Sequence, residues 1–189
     1  MERTFKSLKS DLVFYRHMYL VYAILLICSL GFLISSLIQN GFEFFFWINL
    51  VLTVVFCISL VYSLPIKRKE IKYRVERYLL DLHELGDIIN KTLTSLHVLD
   101  ADYDVYIKRG ELDKIKEKLH DISITFLEDV NIFTEKTGLE FTPSVINTKN
   151  LSSLAETRNC LDNTKEEIKK EIEYISEKKK TIKSYYEKF

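Results

Sequence analysis

One face of a long apolar segment combines amide, hydroxyl and apolar side chains. On a helical wheel of about 100° per residue, this face holds Asn49, Thr53, Phe56, Ser59, Leu60 and Ser63. Amide and hydroxyl groups can hydrogen-bond to water or to an ion, whereas lipid offers them no partner. The face therefore predicts the lining of a narrow pore. The alternative is that small polar side chains let neighbouring helices pack and hydrogen-bond to each other.

Basic side chains form two further candidate sites. The first follows the same apolar segment and comprises Lys67, Arg68, Lys69, Lys72 and Arg74. A basic cluster beside a span is expected to contact anionic lipid head groups. The second site would form if two distant stretches met at one end of a helical domain: Lys108, Arg109, Lys178, Lys179 and Lys180. Repeated around an oligomer axis, it would attract an anionic nucleotide or short oligonucleotide; the alternative is a solvated helix surface.

Signatures of catalysis and metal binding are weak. Asp100, Asp102 and Asp104, with Glu111, imitate a calcium-binding loop, but Val105 stands where the sharp turn needs glycine. The chain has no glycine-rich phosphate loop, no nucleophile with a neighbouring base and no paired carboxylates at a defensible spacing. The sequence therefore predicts a protein that is not an enzyme and has neither a cofactor nor a metal site.

The elements that must position these residues include two apolar helices. Residues 17–39 and 44–66 hold no Asp, Glu, Lys or Arg, and about 20 helical residues cross the hydrocarbon core of a bilayer. Only residues 40–43 separate them, which forces the second helix straight back. The sequence predicts a transmembrane helical hairpin over residues 17–66. A second polar row recurs every seven residues on the first span: Tyr15, Tyr22, Ser29 and Ser36.

The distribution of basic residues predicts the orientation of this hairpin. The chain has 27 basic and 27 acidic residues, and its formal net charge is zero. Nothing global therefore predicts the reading of duplex nucleic acid. Lys and Arg nevertheless flank both spans and are absent from the linker at residues 40–43. Because basic residues near a span stay on the cytoplasmic side, we expect both termini in the cytoplasm and the linker outside.

Helical periodicity continues through the remaining chain. Apolar residues at spacings of three and four predict helices at about residues 67–99, 111–137 and 150–188. Together these make a cytoplasmic domain of residues 67–189. Residues 1–16 predict an N-terminal helix that lies at the membrane surface, joins the cytoplasmic helices or continues into the first span.

Breaks in the periodicity predict how these helices connect. Residues 100–110 and 139–150 are interpreted as connections, and Gly138 as a helix terminator. Pro65 can end or kink the second span. If the cytoplasmic helices are antiparallel neighbours, the 100–110 connection and the C-terminus both lie far from the membrane, and the 139–150 connection lies near it.

The fold class predicted is an all-α membrane protein with a transmembrane helical hairpin and a cytoplasmic bundle of long helices. Two spans cannot enclose a pore alone, so a channel requires a homo-oligomer, for which we favour a tetramer. The apolar seams of the cytoplasmic helices could join subunits. They could equally form a three-helix core within one subunit.

A family resemblance rests on this layout. A basic N-terminal helix enters the first span through Tyr15-Arg16-His17, a tight hairpin follows, and the tail is first basic and then helical. Over residues 1 to about 100, this layout resembles the SLATT group of bacterial two-span proteins. The resemblance implies a membrane effector of conflict systems, located in the bacterial inner membrane and acting beside enzymes that make nucleotide signals.

Together these features predict an oligomeric inner-membrane pore or channel-like effector of anti-phage defence. Its membrane lipid contacts lie beside the spans, and its cytoplasmic helices gate it, in response to a nucleotide or oligonucleotide made by a partner enzyme. Two alternatives remain. A holin-like lesion former needs no large cytoplasmic domain, and a membrane-anchored scaffold uses the hairpin only as an anchor.

Overall fold

All regular elements in the described part of the chain are helices. A computed structural model describes residues 1–40, 44–144, 151 and 153–189. The helices are α1 (Glu2–Asn40), α2 (Phe44–Ile58), α3 (Leu64–Lys108), α4 (Leu112–Thr137) and α5 (Leu154–Tyr186), and a π turn at Ser59–Ser63 joins α2 to α3. The predicted all-helical class is confirmed. Gly41, Phe42 and Glu43 of the predicted linker lie outside the described residues, as do residues 145–150 and 152.

The chain divides into two compact units. The polar unit comprises Met1–Thr4 and Tyr78–Thr181, and the apolar unit comprises Phe5–Arg77 and Ile182–Phe189. Helices α1, α3 and α5 each contribute to both units.

Two helices are long and apolar enough to cross a membrane. In their most apolar stretches only 6% and 11% of the residues are buried by the rest of the protein. Exposed side chains include Ile27, Phe32 and Ile38 on α1 and Phe44 and Val51 on α2. Helices of this length and composition could cross the hydrocarbon core of a bilayer.

Helix α1 continues from the basic N-terminal stretch into the first apolar segment without a break. Of the three arrangements expected for residues 1–16, this is the one in which the N-terminal helix continues into the first span. Near its start, Leu8 and Leu12 are almost fully buried in the apolar unit, as are Ile71 and Val75 of α3 and Ile182 of α5. The N-terminal residues therefore belong to a packed core.

Pro65 does not end the second apolar helix. The π turn precedes it, and the N–H of Leu64 donates to the carbonyl of Ser59 in the five-residue spacing of a π helix. Proline lacks an N–H and its ring clashes with a carbonyl in the preceding turn. A π turn is one way in which a helix continues past such a disruption.

The polar unit has a core formed by one seam from each of three helices. Its buried apolar residues include Leu82, Leu85, Ile89, Leu96, Ile115, Leu119, Phe126, Val130, Phe133, Leu161, Ile168 and Ile175. Thr92 interrupts the predicted seam of α3, and it is nevertheless buried because its hydroxyl donates to the carbonyl of Ile88 at 3.1 Å. On α5, Thr157 and Thr164 fill seam positions in the same way.

The connection predicted at residues 100–110 begins later than expected: α3 continues to Lys108, and α4 begins at Leu112. Tyr103 extends the apolar seam by one more turn: its ring is buried and its hydroxyl donates to the carbonyl of Leu154 at 3.0 Å. Asp100 pairs with Arg158 and Lys165 of α5, at 2.8 Å in each case. These ion pairs stabilise the helix over a stretch whose acidic residues had predicted a turn.

Contacts along the helices also correct their expected arrangement. Helix α4 runs antiparallel to α3, since Lys91 contacts Asp129 and Lys136 contacts Glu84. Helix α5 is antiparallel to α3 as well: its beginning meets Tyr103 and its later residue Lys179 lies 3.4 Å from the ring of His83. Helices α4 and α5 therefore run in the same direction, and α5 does not end near Lys108.

The described residues that follow α4, 138–144, contact other parts of the same unit. Gly138 ends the helix with a φ of 69°, a left-handed conformation that glycine adopts without steric cost, as predicted. Within the same unit, Leu139 is buried, the N-terminal ammonium of Met1 donates to the carbonyl of Glu140, and the N–H of Ser144 donates to Glu171 in the middle of α5.

Candidate functional site

A pair of hydroxyl groups joins the two apolar helices. Thr53 on α2 and Ser29 on α1 are both buried, and their hydroxyl oxygens lie 3.1 Å apart. Each hydroxyl also has an acceptor on its own helix: Thr53 donates to the carbonyl of Asn49 at 2.8 Å, and Ser29 to that of Leu26 at 3.0 Å. This is the geometry by which small polar residues let apolar helices approach closely.

An aromatic contact fixes the relative direction of these helices. The rings of Tyr22 and Phe56 lie 6.1 Å apart in an edge-to-face arrangement. Going from Tyr22 to Ser29 along α1, the partner on α2 moves back from Phe56 to Thr53. The two contacts therefore have the order of an antiparallel pair.

The predicted pore face largely coincides with this contact face. Thr53 is buried; Asn49, Phe56, Ser59 and Leu60 are half-buried. Ser63 is exposed, whereas the next residue, Leu64, is buried. A regular helical wheel does not describe these last positions because the π turn at Ser59–Ser63 changes the rotation of the helix. The assignment of this face to a pore stays a prediction.

The five predicted lipid-contacting residues differ in their partners. Lys67 lies 2.7 Å from Glu70, and the hydrogen bond between them raises the pKa of Lys67 and lowers that of Glu70. Arg74 lies 3.0 Å from Asp11 of α1. Lys69 and Lys72 form no ion pair with any residue among those that the structure describes.

The end of α5 lies against this basic stretch, within the apolar unit. The guanidinium of Arg68 donates to a backbone oxygen of Phe189, the last residue of the sequence, and lies 5.2 Å from the Phe189 ring. Tyr186 donates its hydroxyl to Glu76 at 2.7 Å; burial and this hydrogen bond raise the pKa of Tyr186 to about 12. No local sequence pattern predicts these contacts, because they depend on the direction of α5.

The second basic cluster is divided between two places. Lys108 and Arg109 lie at the end of α3, whereas Lys179 lies near His83. At about 1.5 Å per residue, more than 30 Å of helix separates His83 from Lys108. Lys178 contacts Glu2 at 2.6 Å. The expectation that Lys178, Lys179 and Lys180 meet Lys108 and Arg109 at one end was therefore wrong for a single subunit.

A charged cluster that sequence reasoning missed joins α3 to α5. Lys165 contacts Asp100 at 2.8 Å and Asp162 at 3.0 Å, and its side chain is only 12% exposed. Burial opposes the charge of Lys165, but hydrogen bonds to both carboxylates outweigh it and raise its pKa. Arg158 pairs with the same two aspartates. Every charge in this cluster has a partner of opposite sign, which is typical of a structural ion-pair network.

Comparisons of the chain with protein-family models, with curated proteins and with solved structures give no match.

Proposed function

We propose that this protein is an oligomeric membrane channel-like effector, with α1 and α2 as a transmembrane hairpin and the remaining helices as its cytoplasmic gating domain. The observation that supports the membrane placement most directly is the exposed apolar surface of α1 and α2. Within residues 17–39 and 44–66 there is no Asp, Glu, Lys or Arg. In water such a surface would drive aggregation; in a bilayer it is solvated by lipid.

The orientation follows from the flanking charges. Basic residues lie before the first span and after the second, which favours a cytoplasmic location for both ends of the hairpin. The ion pair between Arg74 and Asp11 joins these two ends. In the proposed arrangement the linker at residues 40–43 is outside and the polar unit is cytoplasmic.

Self-association is supported by apolar side chains that the polar unit leaves uncovered. Leu80 and Val98 on α3 are 68% and 57% exposed, and Ile132 on α4 is 63% exposed. Side chains of this kind widen the apolar faces beyond what one subunit buries. A second copy of the chain could cover them, and four copies would place four hairpins around one axis.

The role in anti-phage defence rests on the resemblance to the SLATT group. An activating nucleotide would be recognised by a site made from several subunits, since one subunit divides the basic residues between two places. Lys108 and Arg109 are exposed at the end of α3, and copies of them around an axis are the remaining candidate for an anionic ligand.

The experiment combines a mass measurement with a leakage assay. We expect the protein in mild detergent to have the mass of several chains, and liposomes that contain it to release a small entrapped dye or ion. Deleting residues 78–181 should alter the regulation of leakage in a gated channel, whereas a holin-like lesion former should keep its full activity. A single-chain mass across a range of detergents would contradict the proposal.

A membrane-anchored scaffold is the second candidate, and the Thr53–Ser29 contact favours it. If the polar side chains of the spans serve to pack one hairpin, they are not required to face a pore. Replacing residues 17–66 by an unrelated apolar hairpin would preserve the function of a scaffold and abolish the leakage of a channel.

A further inference from the structure

A cleft lies where the end of α5 meets the first turns that follow the second apolar segment. It has a volume of about 350 Å³ and is lined by Arg68, Lys69, Lys72, Tyr186 and Phe189. Three of its five lining residues are basic and the other two are aromatic. All five belong to the apolar unit.

The basic side chains of the cleft have hydrogen-bond donors and positive charge available for an anion. The guanidinium of Arg68 lies 5.9 Å from the ring of Tyr19 and 5.2 Å from that of Phe189, and such cation–π contacts hold it in place. Among the described residues its hydrogen-bond acceptor is a backbone oxygen of Phe189, which leaves further N–H donors of the five for an anion. Lys69 and Lys72 add two ammonium groups without an ion-pair partner in the described chain.

Arg68 binds a backbone oxygen of Phe189, the last residue of the sequence, whose α-carboxylate offsets one of the three charges. The side-chain carboxylates nearby leave the charges of Lys69 and Lys72 without a partner. Glu70 is engaged by Lys67 at 2.7 Å, and Asp11 by Arg74 at 3.0 Å. The carboxylate of Glu76 accepts a hydrogen bond from the hydroxyl of Tyr186. Lys67 and Arg74, which pair with side-chain carboxylates, are not among the residues that line the cleft.

We propose that this cleft binds the phosphate of an anionic phospholipid. Arg68 follows the last residue of the apolar segment, Ile66, by two positions, so the cleft would lie at head-group level. A planar guanidinium can bind two phosphate oxygens at once, and the rings of Tyr186 and Phe189 provide an apolar wall for the glycerol and upper acyl carbons. The inference rests on the proposed placement of α1 and α2 in a bilayer, and not on channel formation.

The test measures which lipids the full-length chain retains. Protein released gently from detergent is examined by native mass spectrometry after incubation with phosphatidylglycerol or phosphatidylcholine. The variant carries Arg68→Gln, Lys69→Gln and Lys72→Gln. Its matched control carries the same change of charge on the polar unit, at three exposed positions: Lys114→Gln, Lys118→Gln and Lys170→Gln.

We expect the wild-type chain and the control to retain phosphatidylglycerol preferentially. One basic residue near an anionic surface contributes roughly a fivefold gain in affinity, so the triple variant should lose on the order of 100-fold. Phe189→Ala should weaken retention several-fold without changing the charge. Far-UV circular dichroism of each variant verifies that the helices are intact.

Three results would overturn the lipid site. They are equal retention of the two lipids by the wild-type chain, equal losses in the variant and the control, and displacement of phosphatidylglycerol by an equimolar amount of soluble glycerol phosphate. The last result would identify the ligand as a free phosphate. In each case a chain that still requires detergent or lipid for solubility leaves the proposed membrane placement intact.

Discussion

The contact between Thr53 and Ser29 allows a quantitative test of what holds the two apolar helices together. A hydroxyl has one hydrogen to donate. Thr53 has two acceptors within reach, at 2.8 Å on its own helix and at 3.1 Å on Ser29. Ser29 has its own acceptor in the carbonyl of Leu26. Each hydroxyl can therefore satisfy itself locally, and the bond between the helices is only partly formed.

This competition sets the expected magnitude. Hydrogen bonds between helices within membranes contribute about 0.6 kcal/mol on average and about 1.7 kcal/mol at most. Because a shared hydrogen weakens the bond, we expect a coupling energy of about 0.3–0.6 kcal/mol between Ser29 and Thr53. Valine matches the shape of threonine, so Thr53→Val removes the hydroxyl without the overpacking that leucine would cause at a buried position.

The assay is a double-mutant cycle of Ser29→Ala and Thr53→Val in detergent micelles. Unfolding can be followed by the fluorescence of Trp47, the one tryptophan in the chain, which lies on α2. Ser35→Ala, at an exposed position of α1, replaces Ser29→Ala in the control cycle and should give no coupling.

A coupling above about 2 kcal/mol would refute the reasoning, because it exceeds what hydrogen bonds between membrane helices contribute. Liposome leakage of the same variants addresses function. If Thr53→Val leaves leakage unchanged, Thr53 is a packing residue, and the pore assignment loses its central member. If leakage is abolished while the unfolding free energy changes by less than about 1 kcal/mol, the channel proposal is strengthened.

Three further predictions concern the polar unit, each measured by urea unfolding in mild detergent. Asp100→Asn should lower the unfolding free energy by about 1–3 kcal/mol, because Lys165 loses one of its two carboxylate partners. Burial raises the pKa of Glu171 above its ordinary value of 4.5, so the folded state binds the proton more tightly; stability should fall as pH rises through the raised pKa, and Glu171→Gln should remove that slope. Phe126→Ala should cost about 3–5 kcal/mol, whereas Val105→Ala, at an exposed position, should change stability by less than about 0.5 kcal/mol.

The sequence by itself determined the properties that depend on neighbouring residues. The lengths of the two apolar segments, the seams of the later helices and the end of α4 at Gly138 follow from local spacing and local backbone preference. These features need no knowledge of a partner, since helix hydrogen bonds and side-chain periodicity close within a few residues.

Tertiary structure decided the properties that depend on which residues meet. Residues 100–108 contain three aspartates and read as a turn, yet they remain helical because Arg158 and Lys165, more than 50 residues away, pair with Asp100. No local pattern records such a pairing.

The same reason governs the candidate sites. The antiparallel course of α5 along α3 separates Lys178 from Lys108 in the polar unit, and within the apolar unit the end of α5 contacts Arg68. It thereby removes one predicted basic site and creates a cleft that was not foreseen. Charge and hydrophobicity can be read from the sequence, but a site forms only where residues that are distant in the sequence come together in the fold. The direction in which helices pack decides whether it forms.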